Sequence, residues 1–237
     1  MLPRLLAALA ATVLSSAALA ATLSPVAAGK AYHSETTNLV YDSAGHGSYV
    51  TISTDSVTGV EPTSPLLLDA WPNYTHLPYG YFEDRAWVAF LIPDLADQVA
   101  SAVALSVKNN LPGAAPLSVN EVSSTLPGTG ESLTGNAAAS IFADVGDGSF
   151  GTGQVPRYGE ATIWMTGPIL TQVMAHEGAL LYLGLSVETI QIPLLLSDVK
   201  LHISTISAVP LPSAAWLFGP AVVGLLAMTR FRRAANR

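Results

Sequence analysis

Five aromatic side chains lie within one short segment, AWPNYTHLPYGYF at residues 70–82, and make it the first candidate for ligand binding. Flat rings with polar tips bind at low entropic cost, and they can stack on sugar rings. The same rings can instead pack together and cover an open end of a β-sandwich. Packing is the more common role of such a cluster, and a glycan-binding site formed by Trp71, Tyr74, Tyr79 and Tyr81 is the alternative that the sequence leaves open.

A zinc-protease motif is incomplete at His176-Glu177. That motif needs a second histidine four positions after the first, on the same helix face. The residue at that position is Leu180. A histidine near the C-terminus of a helix interacts favourably with the helix dipole. We therefore predict a structural role for His176.

Several carboxylates were considered as catalytic or metal-binding groups. Asp144 and Asp147 stand among glycines, but a calcium loop usually gathers more acids than these two. Glu83, Asp84 and Glu160 lie near strand starts, where a glycosidase would need two carboxylates about 5–10 Å apart, and solvated strand ends are the alternative. The chain has no Gly-x-Ser-x-Gly elbow and no cysteine. We therefore predict no catalytic residue, no bound metal and no cofactor. We also predict that the protein is not an enzyme.

The elements that would carry these residues are short β-strands separated by Gly, Pro, Asn and Asp turns. In SAVALSV, Val103, Leu105 and Val107 share one face at period two, which is typical of a half-buried strand. Further strands are predicted at 48–54, 85–92, 117–123, 161–166, 180–187 and 198–206. Many short strands of this kind indicate an all-β antiparallel sandwich.

One short helix interrupts the strands. In GPILTQVMAHEGA, Pro168 suits the first turn and Gly178 suits the end of a helix. The run Ala137–Phe142 fits a second short helix or a strand, and the sequence leaves both open.

The N-terminal segment 1–20 is typical of a secretory signal peptide. A single charge, Arg4, precedes an apolar run, and Ala18 and Ala20 flank Leu19 as a small-x-small cleavage site. The run is shorter than the roughly 20 residues of a membrane span, which disfavours an uncleaved anchor. We expect cleavage after Ala20, leaving an ectodomain over residues 21–207.

The C-terminal segment 208–237 has three parts. Val209, Pro210, Leu211, Pro212 and Ser213 form an extended motif, because each proline fixes φ and lacks an amide donor. Residues 214–229 carry no charge and predict a single transmembrane helix about 24 Å long. The basic tail 230–237, with Arg230, Arg232 and Arg233, predicts a stop signal on the cytoplasmic side.

This order of motif, span and arginine tail resembles the PEP-CTERM sorting signal of Gram-negative bacteria, in its VPLPA or VPLPS variant. Leu211 stands where the family name has Glu, which indicates the variant subclass. The resemblance implies processing near the motif by a membrane-embedded exosortase. The protein would then pass from an anchored inner-membrane precursor to the cell surface or the extracellular matrix.

The middle of the chain carries a looser resemblance over about residues 79–153. YGYFEDRAWVAFLIPDLADQVASAVALSV and ASIFADVGDGSFG are similar to segments of a β-sandwich found in many PEP-CTERM-tailed proteins, which is akin to the DNRLRE-type jelly rolls. Ile92-Pro93-Asp94-Leu95 departs from the usual Phe-Asp-Leu strand end. The resemblance implies a jelly-roll-like sandwich and no established activity.

Charge narrows the range of partners. The segment 21–208 holds five Lys and Arg against all 17 acidic residues, a formal charge of −12. Such a domain repels nucleic acid and anionic lipid. The sequence predicts an exported surface or matrix protein with the membrane as a partner and exopolysaccharide as a candidate partner. An exosortase is the partner that the PEP-CTERM resemblance implies. A secreted hydrolase of unrecognised type and a purely structural matrix component are the alternatives.

Overall fold

The computed structural model describes residues 19–73, 79–95, 98–146, 148–187 and 192–207. Leu19–Leu95 and Ala100–Thr205 form one compact unit, whereas most of the second unit lies outside the described residues. The described elements, in chain order, are β1 Leu19–Leu23, β2 Ala27–Tyr41, β3 Gly47–Val60, β4 Leu66–Asn73, β5 Tyr79–Leu91, β6 Gln98–Asn109, β7 Ala115–Glu121, β8 Ser132–Thr134, α1 Asn136–Gly146, β9 Ser149–Val155, β10 Glu160–Met165, α2 Ile169–Ala175, β11 Leu180–Val187 and β12 Leu194–Ser207.

The described strands form one continuous hydrogen-bonded network. The network folds into two layers, which we call sheet 1 and sheet 2. Sheet 1 has the order β10-β6-β12, with β1 and β4 following each other along the second side of β12. Sheet 2 has the order β9-β7-β11-β5-β2-β3-β8. β4 belongs to both layers, because Leu66–Leu68 pair with β12 and Asp69–Asn73 pair with β5. The predicted all-β antiparallel sandwich is confirmed, since the strand pairs with described register are antiparallel.

The main core lies between the two layers. From sheet 1, Val103, Leu105 and Val107 are 0–2% exposed, as their period-two spacing predicts. From sheet 2, Val88 and Phe90 are fully buried in the same cluster. The near-continuous apolar run in β5 arises because its other face is covered too: Trp87 packs in a second cluster beneath α1.

The described part of the chain contains two short helices, α1 and α2. α2 confirms the predicted helix, with Pro168 at its N-cap and Gly178 at φ 71° just beyond its end. The run Ala137–Phe142, for which the sequence left a second helix and a strand open, lies within the helix α1. Ala138, Ile141, Phe142 and Val145 recur at helical spacing and form its buried face.

The structure describes only a small part of the two terminal segments. β1 pairs with β12 from Leu19 opposite Thr205 to Leu23 opposite Leu201, so Ala20 lies within a strand. Ala18, the 209–213 motif, the 214–229 span and the arginines of the tail lie outside the described residues. Within the described ranges, no helix combines the length and apolarity that a membrane crossing needs.

Candidate functional site

The predicted aromatic residues lie where β4 and β5 meet. Pro72 pairs with Tyr81, and Tyr79 pairs with Thr37 of β2. Tyr74 lies outside the described residues, and only the backbone of Trp71 and Tyr79 is described. Tyr81 is described fully, and it belongs to a polar cluster that the aromatic spacing did not predict.

Strand register builds this cluster on the outer face of sheet 2, away from the main core. On β2, His33 lies opposite Asp55 of β3 on one side and opposite Glu83 of β5 on the other. Residues two apart on a strand share a face, so their neighbours join them. We name this group the outer-face cluster; it consists of His33, Glu35, Asp55, Tyr81, Glu83 and Arg85.

A buried carboxylate orients the imidazole of His33. Its Nδ1 lies 2.7 Å from Asp55 Oδ1, and the two side chains are 19% and 10% exposed. A carboxylate oxygen only accepts, so Nδ1 carries the proton and donates it. The other ring nitrogen, Nε2, lies 3.6 Å from Oε1 of the half-exposed Glu35. The imidazole is thus fixed at one nitrogen and faces a solvated acid at the other.

Both oxygens of Glu83 are also occupied. Tyr81 Oη donates to Oε2 and Arg85 Nε donates to Oε1, each at 2.6 Å. Arg85 Nη1 donates to the carbonyl of Phe142 at 2.8 Å, and its guanidinium lies 4.1 Å from the centre of that ring. The guanidinium therefore ties β5 to α1. Glu83, expected among solvated strand ends, is only 12% exposed, whereas Glu160 is exposed as expected.

The face continues beyond the sheet as a two-stranded ribbon. Past the pair Thr37–Tyr79, β2 and β3 pair only with each other within the described residues, as far as Tyr41 opposite Gly47. Leu39 lies opposite Tyr49 on the same face as His33. Tyr41 and Tyr49 are 65% and 66% exposed.

We name the surface from the outer-face cluster to the ribbon tip the outer strip. Between its two ends, Thr37 and Thr51 face each other with their Oγ1 atoms 2.9 Å apart. Eight residues separate His33 from Tyr41, which corresponds to roughly 26 Å along a strand. The strip therefore presents two exposed phenol rings, paired hydroxyls and the half-exposed Glu35 in one line, beside the largely buried remainder of the outer-face cluster.

A pair of acids lies at the junction of β4 and β5. Asp69 and Asp84 are opposite each other in register. Burial raises the pKa of Asp84 above its ordinary value, and the nearby Asp69 and Glu83 charges raise it further, against a smaller lowering by Lys30. Burial likewise raises the pKa of Asp69. The charged forms of these acids are thus disfavoured in the folded protein.

The remaining sequence candidates have structural contacts. His176 Nδ1 donates to the carbonyl of Gln172 at 2.8 Å, which confirms its role at the end of α2. Asp144 accepts from the Ser123 and Ser124 amides at 2.8 and 2.6 Å. Asp147 lies outside the described residues, and within the described ranges no three His, Cys, Asp or Glu side chains are grouped to hold a metal.

Sequence reasoning missed most of the outer-face cluster. A signal was present: His33 and Glu35 alternate along β2, and Tyr81, Glu83 and Arg85 alternate along β5. Polar residues that alternate along a strand share one face, so each run indicates a polar patch on its own strand. Only the register, however, shows that the two runs lie side by side.

Comparison with known proteins assigns no family to this chain. No protein-family model matches the chain, and no curated protein matches it. Among solved structures, one match is a "putative secreted protein" from Parabacteroides distasonis ATCC 8503. It has 12% identity and a TM-score of 0.25, and the match covers 80% of this chain and 75% of that chain. A TM-score this low carries no argument, so the site is interpreted from its own residues.

Proposed function

We propose that this protein is an exported, non-enzymatic surface or matrix protein that binds polysaccharide along the outer strip. The observation that carries the proposal is the alignment of Tyr41 and Tyr49, both about two-thirds exposed, with the outer-face cluster on one face of β2 and β3. Exposed phenol rings offer stacking faces at low entropic cost. The hydroxyls, carboxylates and imidazole nearby match the donors and acceptors of sugar hydroxyls.

An extended strip suits a polymeric ligand better than it suits a small, compact ligand. Pockets enclose small ligands on several sides, whereas the exposed ribbon can contact a polymer only along its length. The acidic ectodomain excludes nucleic acid, which would be repelled by the charge of −12 over 21–208. A neutral or basic polysaccharide satisfies both conditions.

Export and sorting complete the proposal. The signal-peptide pattern over 1–20 and the tripartite segment 208–237 support delivery as an inner-membrane precursor, followed by exosortase processing. The resemblance in the middle of the chain supports a jelly-roll-like connectivity for the sandwich. The expected mature N-terminus is Ala21, which N-terminal sequencing of envelope protein tests directly. Recovery of Met1 there would refute the cleavage.

Binding is tested by retention of the purified protein on insoluble polysaccharides and on exopolysaccharide from the native host. Tyr41→Ala with Tyr49→Ala should abolish retention without lowering the melting temperature, because both rings are largely solvated. Trp164→Ala is the matched control, since Trp164 is 64% exposed on β10 of the other sheet. Retention that survives the tyrosine pair, or that is lost with Trp164, contradicts the outer strip as the binding face.

One observation favours a second function. His33 is held by a buried carboxylate at Nδ1, which leaves Nε2 as the basic nitrogen in the arrangement that general-base catalysis uses. A secreted hydrolase acting on the bound polymer would use this nitrogen. Release of reducing ends from a retained polysaccharide, lost in His33→Gln, would establish this function in place of binding alone.

A further inference from the structure

A cleft of about 450 Å³ lies between α2, the end of β7 and the start of β11. The cleft shares no lining residue with the outer strip. The helix α1 contacts both places: Phe142 packs on His33, with ring centres 5.2 Å apart, and Asp144 accepts a hydrogen bond from Ser123 in the wall of the cleft. The polar residues that line the cleft are Glu121, Ser123, Ser124, Thr125, Gln172, His176 and Tyr182.

One wall is fixed by Asp144. This carboxylate accepts from the amide of Ser123 at 2.8 Å, the amide of Ser124 at 2.6 Å and the hydroxyl of Ser123 at 3.1 Å. Partial burial raises the pKa of Asp144, but the bonds from Ser124 and Ser123 outweigh it and hold that pKa below its ordinary value. The turn after β7 is therefore held in place by an ionised carboxylate.

The opposite wall is fixed through Gln172. Its Nε2 donates to Glu121 Oε1 at 2.5 Å, which joins α2 to the end of β7. Its second amide hydrogen and its side-chain oxygen stay available to a ligand. His176 donates through Nδ1 to the Gln172 carbonyl, so in the neutral ring Nε2 is an acceptor. Both walls are thus set before any ligand binds, which lowers the entropic cost of binding.

The lining also restricts the charge of the ligand. Glu121 is the one carboxylate among the lining residues, and the described lining contains no Lys or Arg. An anion would meet Glu121 and the nearby Asp144 with no cation to balance them. A cation would have to share a carboxylate whose Oε1 already accepts from Gln172. Donors and acceptors that are mostly neutral favour a neutral, hydroxyl-rich ligand.

The size and surface of the cleft agree with this chemistry. Its volume falls within the range of small-ligand sites, roughly 300–1,000 Å³. Tyr182 contributes an aromatic ring that packs against the buried Trp87, with ring centres 6.3 Å apart. From these features we infer that the cleft binds a neutral saccharide of one or two units, at a site distinct from the outer strip.

The test is titration of the purified full-length protein with D-glucose, D-galactose and N-acetylglucosamine, followed by calorimetry and saturation-transfer NMR. At least one of these neutral sugars should bind. Glucose 6-phosphate and glucosamine serve as charged counterparts, and each should bind at least tenfold more weakly than the neutral sugar. Gln172→Leu should weaken the neutral sugar tenfold or more, which corresponds to about 1.4 kcal/mol.

Matched variants separate this site from the proposed function. Gln154→Leu is the control, because Gln154 is an exposed glutamine on β9 that does not line the cleft. Gln172→Leu should leave polysaccharide retention unchanged, and the double tyrosine variant of the outer strip should leave sugar binding unchanged. If Gln172→Leu does not fold, His176→Gln takes its place, with the same expected loss.

Three results would overturn the inference. The first is that none of the three neutral sugars binds with a Kd below about 10 mM. The second is that a folded Gln172 or His176 variant binds as the unaltered protein does. The third is that a charged counterpart binds more tightly than its neutral parent.

Discussion

The pair Arg85–Glu83 offers the sharpest test of how the second sheet holds α1. In Arg85→Met the aliphatic volume remains, but the bonds to Glu83 at 2.6 Å and to the Phe142 carbonyl at 2.8 Å are lost. Hydrogen bonds to charged groups contribute about 1.5–3 kcal/mol each. Breaking a buried pair while leaving its partner charged costs about 3–5 kcal/mol. With side chains 19% and 12% exposed, we expect the free energy of unfolding to fall by about 3 kcal/mol.

A double-mutant cycle separates the pair from its surroundings. Glu83→Gln keeps an acceptor for Tyr81 and removes the charge, so Arg85→Met added to it leaves no unpaired carboxylate. The double variant should therefore lose at least about 1 kcal/mol less than the sum of the single variants. For a domain of this size a loss of 3 kcal/mol lowers the melting temperature by roughly 6–12 °C.

Urea unfolding followed by tryptophan fluorescence measures all four proteins, because Trp87 is 1% exposed in the cluster beneath α1. A coupling energy within about 0.3 kcal/mol of zero would show that the two charges behave as independent solvated groups. In that case the guanidinium does not tie β5 to α1, and the account of the outer-face cluster fails.

Three further outcomes are expected. Asp84→Asn should raise the melting temperature at pH 7.5, because burial disfavours the charged carboxylate. The gain should shrink as the pH falls through the raised pKa of Asp84, because the native side chain then becomes protonated. An equal gain in melting temperature at pH 4 and pH 7.5 would contradict this. Gly184→Ala should lower the melting temperature in thermal scans, because its Cβ would meet a main-chain oxygen of α1, whereas Gly80→Ala, with nothing nearer than 3.5 Å, should be much milder. Pro210→Ala with Pro212→Ala should leave the protein full-length in the membrane of the native host while the unaltered chain is shortened, as immunoblots of membrane and released fractions would show; full-length protein in both would mean that VPLPS is only a linker.

Several strands could be located from the sequence because each carries its own periodicity, but their order and pairing could not be predicted. Val103, Leu105 and Val107 alternate with the smaller residues Ala104 and Ser106, so the large apolar side chains all lie on one pleated face. α1 was ambiguous for a physical reason. Ala137–Phe142 is a short run of small and apolar residues, and neither length nor polarity separates a helix from a strand there.

The candidate sites could not be predicted in the same way, because they depend on contacts between distant parts of the chain. His33, Asp55 and Arg85 belong to three strands, and register rather than local sequence brings them to one face of sheet 2. The cleft likewise joins Glu121 to Gln172 across 51 positions. Tyr81 of the aromatic segment 70–82 lies in the outer-face cluster, and the glycan-binding role of the segment stays a prediction.

Under the proposed export, the pairing of β1 with β12 determines an order of folding events. The Thr22 hydroxyl and His202 Nδ1 lie 3.1 Å apart although 180 positions separate them in the chain. A strand that crosses first must wait for its partner, which crosses last. Closing so long a loop is entropically costly, and such distant contacts form late in folding. Sheet 1 would then be completed only after β12 has crossed the membrane, when the residues that follow β12 are the last of the chain left to cross.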